Sequence, residues 1–225
     1  MLSGPSGSGS PRQHLPLLAQ IDAVTLDLYG TLVTLRDPVP KLLELLRAHD
    51  LAPPADAVRA AFQAEFAYYG PHSHEGRDEQ SVADLNTRCA KVFLDALGVD
   101  LPPPEFGPLY VAALEFEVVP GATECLQALR SRGLELAAVT NWDVTVRERL
   151  TDLGLAPFFS HLVTSAEVGA RKPDPAVFRR ALDLLGIPAE RALHIGDAAD
   201  DRRGAAAAEM RFAPAPIERV LAELS

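Results

Sequence analysis

Short apolar, β-branched runs recur along this chain, and each is followed by a stretch with helical spacing. The runs are Ile21 to Leu28, Leu134 to Thr140, His161 to Thr164 and Ala192 to Ile195, with a short last one at Met210 to Ala213. Amphipathic patterns lie at Ala122 to Arg132, Val144 to Leu153, Ala176 to Leu185 and Asp201 to Glu209, and a closing helix is expected from Ile217 to Leu224. Strand alternating with helix dictates right-handed βαβ crossovers, and so a parallel sheet with helices on both faces. The expected fold class is therefore α/β, with a Rossmann-like three-layer core.

The alternation fails once. Between the first run and Leu134 no segment reads convincingly as a strand; four helical stripes stand there instead. They are Val39, Leu42, Leu43 and Leu46; Val58, Phe62, Phe66 and Tyr69; Val82, Leu85, Cys89, Val92, Phe93 and Ala96; and Phe106, Leu109, Tyr110, Ala113 and Leu114. Breaks are expected at Pro53-Pro54, Gly70-Pro71 and Pro102-Pro103-Pro104. The organisation expected is a flexible Ser/Gly/Pro-rich tail over 1–14, a core made of 15–35 and 119–225, and an α-helical insertion over 36–118. The tail has no basic region followed by an apolar core, so a signal peptide is not expected there. At about 150 residues per domain, 225 residues suit a core with a smaller insertion.

Charge narrows the range of partners. Lys+Arg 21 against Asp+Glu 31 leaves a net charge of -10, which argues against a nucleic-acid or anionic-membrane surface. No apolar run is long enough to span a bilayer. Cys89 and Cys125 show neither C-x-x-C spacing nor a histidine pair, so reduced thiols and a cytoplasmic setting are expected. A small anionic substrate in a locally positive pocket remains compatible with all of this.

In open parallel sheets the crevice lies at the carboxyl ends of the strands. The first run delivers Asp27-Leu28-Tyr29-Gly30-Thr31-Leu32 there, and the second Thr140-Asn141. Arg171-Lys172-Pro173 comes some residues after the third, and the fourth delivers Gly196-Asp197, with Asp201 following. These groups suit phosphoryl transfer. A carboxylate can attack phosphorus and form an aspartyl phosphate, provided positive charge offsets the repulsion between two anions. Mg²⁺ takes hard oxygen ligands of this kind, and Asp27 and Asp197 could supply two. Lys172 would neutralise further charge, Thr140 could bond a phosphoryl oxygen, and Asp201 could orient a metal-bound water or Lys172 from behind.

Taken in order, D-L-Y-G-T-L, V-T-N, R-K-P-D-P and G-D-A-A-D-D resemble the four motifs of the haloacid dehalogenase (HAD) superfamily of hydrolases. The helical insertion is similar to that superfamily's α-helical cap, so the resemblance covers almost everything after the tail. It implies Asp27 as nucleophile, Thr140 as phosphate ligand, Lys172 as charge stabiliser, and Asp197 with Asp201 as the acids of the Mg²⁺ site. The backbone carbonyl of Tyr29 is implied as a further metal ligand.

One position departs from the phosphatase pattern. Those enzymes typically carry a second Asp two residues after the nucleophile as general acid and base, and this chain has Tyr29. Loss of such help costs about 10² to 10⁴ in rate, most for poorly leaving alkoxides. His72, His74 or the Tyr29 hydroxyl are candidate substitutes. The same tyrosine resembles the first motif of the metal-free 2-haloacid dehalogenases, whose halide leaves without a proton. Those enzymes lack the Gly-Asp of the fourth motif, which this chain keeps as Gly196-Asp197. The expected activity is a Mg²⁺-dependent phosphatase on a small phosphate ester or acyl phosphate. The alternatives are the dehalogenase and a binding protein that keeps the fold.

Each motif has a plainer reading. Asp27 could open a turn after a strand; Thr140 and Asn141 are good helix caps, and Asn141 could equally contact substrate. Lys172 in a charged loop is ordinarily solvated, Asp197 and Asp201 suit a helix start, and Trp142 and Tyr69 read as packed side chains. What these readings leave unexplained is the order of the four motifs. The expected partner is a small phosphorylated metabolite, and the expected assembly a monomer or homodimer.

Overall fold

The structure, a computed structural model, describes residues 21–217 and Arg219. The expected tail, and the closing helix beyond those positions, lie outside the described residues. Five parallel strands form one sheet in the order β5 (His161–Thr164), β4 (Glu135–Thr140), β1 (Ala23–Leu26), β6 (Ala192–Gly196), β7 (Arg211–Pro214). Strand β1 is central, with Leu26 in register with both Ala138 of β4 and Ile195 of β6. The three strands therefore end within two residues of one another. All four β1 residues are buried, which is why this strand, Thr25 apart, reads as apolar on both faces rather than alternating.

Helices α5 (Ala122–Ser131), α6 (Val146–Asp152), α8 (Pro175–Leu185) and α9 (Ala199–Ala207) cover the sheet. The two-residue period of β4 sends Leu136 and Ala138 into one apolar cluster, with Leu126 and Leu129 of α5. It sends Val139 into another, with Phe178 and Ala181 of α8 and Ala205 of α9. A short helix α7 (Ser165–Val168) after β5 was not expected from the pattern; Thr164 and Glu167 form its capping box.

Between β1 and α5 lie four helices: α1 (Val39–Arg47), α2 (Ala55–His72), α3 (Glu79–Leu97) and α4 (Pro103–Ala112), with a 3₁₀ turn over Ser73–Glu75. They share their own apolar centre, built on Leu42, Leu46, Val58, Phe93, Phe106 and Tyr110. Two strands stand here against expectation. β2 (Val33–Leu35) and β3 (Phe116–Val118) pair antiparallel on either side of the four helices, Val33 opposite Val118. Three residues are too few to show an alternation, so this ribbon leaves no local signature.

Prolines also act differently from expectation. α2 runs past Gly70-Pro71 to His72, with Pro71 in its final turn. The Pro102 to Pro104 run starts α4 rather than only ending what precedes it, because a proline at the first helical positions gives up an N–H that has no partner there. Among the described residues no helix is long and apolar enough to cross a membrane.

Candidate active site

Asp27 stands just past β1, with its backbone N–H bonded to Ile195 O at 2.9 Å. The chain then turns sharply at Gly30, φ 86°, and Gly30 N–H reaches Val33 O at 2.8 Å. Glycine is needed there twice over. Its φ is left-handed, and a Cβ would collide with the Asp197 carboxylate. The turn thereby brings the Asp27 loop and the end of β6 together.

Lys172 is buried, not solvated. Its ammonium donates to Asp27 Oδ1 at 2.5 Å, Asp201 Oδ1 at 2.6 Å and Val139 O at 3.1 Å, which uses all three donors. Asn141 holds the segment that carries it: Asn141 Nδ2 donates to Lys172 O at 3.1 Å, and Lys172 N–H donates to Asn141 Oδ1 at 2.7 Å. Asn141 is thus a clamp on the lysine backbone. The turn into α6 is held instead by Asp143, which accepts from Thr145 N–H at 2.8 Å.

Behind Lys172 runs a buried chain of polar groups. Asp201 Oδ1 also lies 3.1 Å from His194 Nε2, and His194 Nδ1 lies 2.8 Å from Thr25 Oγ1. Asp201 Oδ2 accepts from Ala198 N–H at 3.1 Å. Gly196 has no room for a side chain because the Asp201 carboxylate occupies it. Burial lowers the pKa of His194 and keeps its ring neutral. With a carboxylate at Nε2, that nitrogen carries the proton, and Nδ1 accepts from the Thr25 hydroxyl.

The acids of the site titrate in opposite directions. Burial raises Asp27 above its ordinary value, with the Asp201 charge adding to this and Lys172 opposing it. Burial would raise Asp201 too, but the His194 and Lys172 hydrogen bonds and the lysine charge outweigh it and hold that carboxyl low. Lys172 loses hydration, yet its two carboxylate neighbours keep it firmly protonated.

Asp197 is exposed beside this cluster, and no hydrogen bond reaches its carboxylate among the described residues. Oxygens of Asp27, Asp197 and Asp201 lie within 4.8 Å of one another. Three carboxylates against one ammonium leave an excess of negative charge made of hard oxygen donors, which fits a dication such as Mg²⁺. Asp201 has both oxygens engaged, so Asp27 and Asp197 have the free ones.

Asp27, Tyr29, Thr140, Asn141, Lys172, Asp197 and Asp201 all line one cavity of about 630 Å³ under the helical insertion. His72 and His74 are not among its lining residues. His72 stacks on Tyr68 at 4.1 Å, with Nδ1 2.6 Å from Tyr68 O, and His74 Nδ1 is buried without a partner. The Tyr29 hydroxyl keeps its proton, since burial and the nearby Asp197 charge both raise it.

A model of the haloacid dehalogenase-like hydrolases matches residues 21–209. The chain belongs to this family. It is 32% identical over 187 residues to mouse "Haloacid dehalogenase-like hydrolase domain-containing protein 3", covering 79% of this chain and 74% of that protein. It is 35% identical over 197 residues to a phosphoglycolate phosphatase of Rhodospirillum rubrum, covering 83% and 76%. Its fold is similar to that of a Bacillus subtilis HAD-hydrolase bound to magnesium, with a TM-score of 0.72 at 21% identity, covering 91% of this chain and 99% of that one.

Four residues of this HAD hydrolase escape the motifs. Thr25 and His194 hide within apolar strands, where a lone polar residue reads as part of the core. Glu65 and Asp143 are buried at the cavity wall. Tyr69 Oη donates to Asp143 at 2.8 Å, tying α2 to the core, and Tyr110 Oη donates to Glu65 at 2.8 Å within the insertion. The expected α2 stripe is also rotated. The buried face is Val58, Ala61 and Glu65, while Phe62 and Tyr69 are half-buried and Phe66 is exposed. All three rings line the cavity, while Phe62 also packs on the helical centre and Tyr69 on the core cluster, so their apolar character serves the site as well as the packing. Leu109, of the fourth stripe, is likewise exposed.

Proposed function

We propose that this HAD hydrolase is a Mg²⁺-dependent phosphatase that cleaves a small phosphate ester or acyl phosphate through an aspartyl phosphate on Asp27. The observation that carries the reading is Asp197, an unpaired carboxylate held against the nucleophile's turn by Gly30. Without a cation it would repel both Asp27 and an anionic substrate. A bound Mg²⁺, held by Asp27, Asp197 and the Tyr29 carbonyl, would supply charge neutralisation at the phosphoryl oxygens.

The chain's own groups supply the rest. Lys172 fixes Asp27 Oδ1, so the nucleophile enters the cavity in one orientation. A carboxylate oxygen of Asp27 bonds to phosphorus as the bond to the leaving oxygen breaks, and that oxygen takes a proton from water. Thr140, at the end of β4, donates to a phosphoryl oxygen. Water then attacks phosphorus, the aspartyl–phosphorus bond breaks, and phosphate leaves with Asp27 restored. With Tyr29 in place of a second acid, acyl and aryl phosphates are favoured over alkyl esters. The reading carries with it a cytosolic setting, with Cys89 and Cys125 outside any disulfide, and a monomer or homodimer without nucleic-acid or membrane partners.

Tyr29 favours a second reading, metal-free displacement of halide from a 2-halo acid. Phosphate release from acetyl and p-nitrophenyl phosphate, with Mg²⁺ and with EDTA, tests the first reading; halide release from 2-chloropropionate in EDTA tests the second. Release of phosphate that depends on Mg²⁺ and vanishes in Asp27→Asn is the expected result. Halide release in EDTA overturns it, and silence in both assays leaves a binding protein.

A further inference from the structure

The cavity above Asp27 is larger and less polar than a two-carbon acid requires. Its 630 Å³ falls in the range of drug-sized ligands. Away from the motif residues its wall is rich in rings and aliphatic chains, chiefly Phe62, Phe66, Tyr69, Leu114, Phe116 and Trp142, with acidic side chains between them. Two ring groups face it. Tyr29 lies 5.4 Å from Phe66, which lies 5.9 Å from Phe62; on the same cavity Phe116 lies 5.0 Å from Trp142. Tyr29 at 37% and Phe66 at 42% are two of the exposed large apolar side chains among the described residues, and both are on this cavity. An exposed aromatic pair over a catalytic cleft marks a ligand surface.

Charge selects further. Eight acidic residues line the cavity against three basic ones. Lys172 is committed to Asp27 and Asp201, and Arg171, next to it in the chain, lines the same cavity with its Nε buried and unpartnered. Arg149 lies over the Phe116 ring at 4.9 Å. Glu65, deep in the wall, has the Tyr110 hydroxyl and the Cys89 thiol as its hydrogen-bond partners, and neither carries positive charge. Away from Lys172, a second anionic group on the substrate would meet Asp143, Glu148 and Asp152 on the wall beside Arg149.

We propose that the substrate is a phosphomonoester whose leaving group carries an uncharged aromatic ring, and that small carboxylate-bearing phosphates are excluded. This rests on the phosphatase reading. The ring would slot between the Tyr29–Phe66 group and the Phe116–Trp142 group, with the phosphoryl group at Asp27.

Four probes of the wild-type protein with Mg²⁺ test it: acetyl phosphate, phenyl phosphate, 1-naphthyl phosphate and 4-carboxyphenyl phosphate. Acetyl phosphate reports the chemistry alone. The second ring of naphthyl phosphate should lower KM about tenfold relative to phenyl phosphate. The added carboxylate, on a leaving group of similar acidity, should lower kcat/KM by about tenfold or more. Phe66→Ala should cost naphthyl phosphate more than acetyl phosphate, and Phe66 is exposed enough for the variant to fold. If acetyl phosphate is cleaved but 4-carboxyphenyl phosphate matches or beats phenyl phosphate, the substrate class is overturned and Arg149 becomes a carboxylate anchor, with the phosphatase intact. Equal KM values for phenyl and naphthyl phosphate overturn it as well. No phosphate from any of the four overturns the phosphatase reading itself.

Discussion

Two buried carboxyl groups in this hydrolase meet opposite fates. Asp201, in the first turn of α9, is 1% exposed; Glu65, in the middle of α2, is 4% exposed. Loss of hydration pushes both upward and is the largest influence on each. Asp201 nevertheless ends below its ordinary value, because Lys172, His194 and the Ala198 N–H converge on it. Glu65 ends above its ordinary value, because its donors, the Tyr110 hydroxyl and the Cys89 thiol, are neutral and only partly offset the burial. Burial is common to both sites, and the donors decide the sign: Asp201 has the His194 hydrogen bond and the Lys172 charge, whereas Glu65 has neutral donors alone. The core keeps a carboxylate ionised, and that carboxylate holds the Lys172 ammonium against Asp27. The cap keeps a carboxyl that is reluctant to ionise, in the wall of an otherwise apolar cavity.

Removing the cation should break this contrast most severely. Lys172→Met leaves Asp27 and Asp201 buried and facing one another, and stranding one half of a buried pair costs about 3–5 kcal/mol. Urea denaturation in EDTA should show that loss at neutral pH, alongside phosphatase activity at background. Asp201 would join Glu65 among the raised carboxyls, so the loss should grow as pH rises through the carboxylate range. An unchanged midpoint would mean that the ion pairs contribute no net stability and that donor charge is not what separates the two sites.

The sequence shows this contrast unevenly. Asp27, Thr140 and Asp197 follow apolar runs that mark the strands plainly, so their place at the crevice can be read without coordinates. Lys172 follows its strand at a distance, and only the order of the motifs points to it. That Asn141 clamps the Lys172 backbone depends on two loops meeting, and loop contact leaves no periodic trace. His194 sits inside A-L-H-I, where burial and catalytic support look alike. Glu65 is masked by its neighbours: the rings at Phe62, Phe66 and Tyr69 give α2 a stronger apolar stripe than Val58 and Ala61 do, although the latter face is the buried one. A stripe records which face avoids water, and a ligand cavity satisfies it as well as a core. The β2–β3 ribbon is hidden for another reason, since each strand has its partner on the far side of the helical insertion.

A smaller effect should separate ionic support from packing within the core. His194 touches no substrate; it acts through Asp201, as a positioning residue. His194→Ala leaves Thr25 and one side of Asp201 unsatisfied, which costs about 1–3 kcal/mol, and should lower kcat about 10- to 100-fold, the usual effect of losing such outer support. His194→Gln retains a donor that can reach Asp201 and should recover much of the kcat, with KM little changed in both variants. If Gln and Ala behave alike, the ring serves only to fill space beside Phe178, which it meets edge-on at 4.8 Å.

The smallest expected effect is the sharpest test of the opposite signs. A carboxyl whose folded pKa is raised binds its proton more tightly in the native state, so its burial weakens stability as pH climbs past the unfolded value. Glu65→Gln removes that titration. At low pH, where Glu65 is already neutral, the variant and the wild type should unfold within a few tenths of a kcal/mol of each other; by neutral pH the variant should be the more stable, by about 1 kcal/mol at most. Asp201→Asn should run the other way. A depressed carboxyl lends stability that is present above its unfolded pKa and lost on acidification, so the Asn variant should fall behind as pH rises. Thermal midpoints of the two variants against pH, each taken relative to wild type in EDTA, should therefore diverge from a common origin near the acid end. Parallel curves would mean that Glu65 is not raised by its burial, and the contrast between the two carboxyl groups would fail.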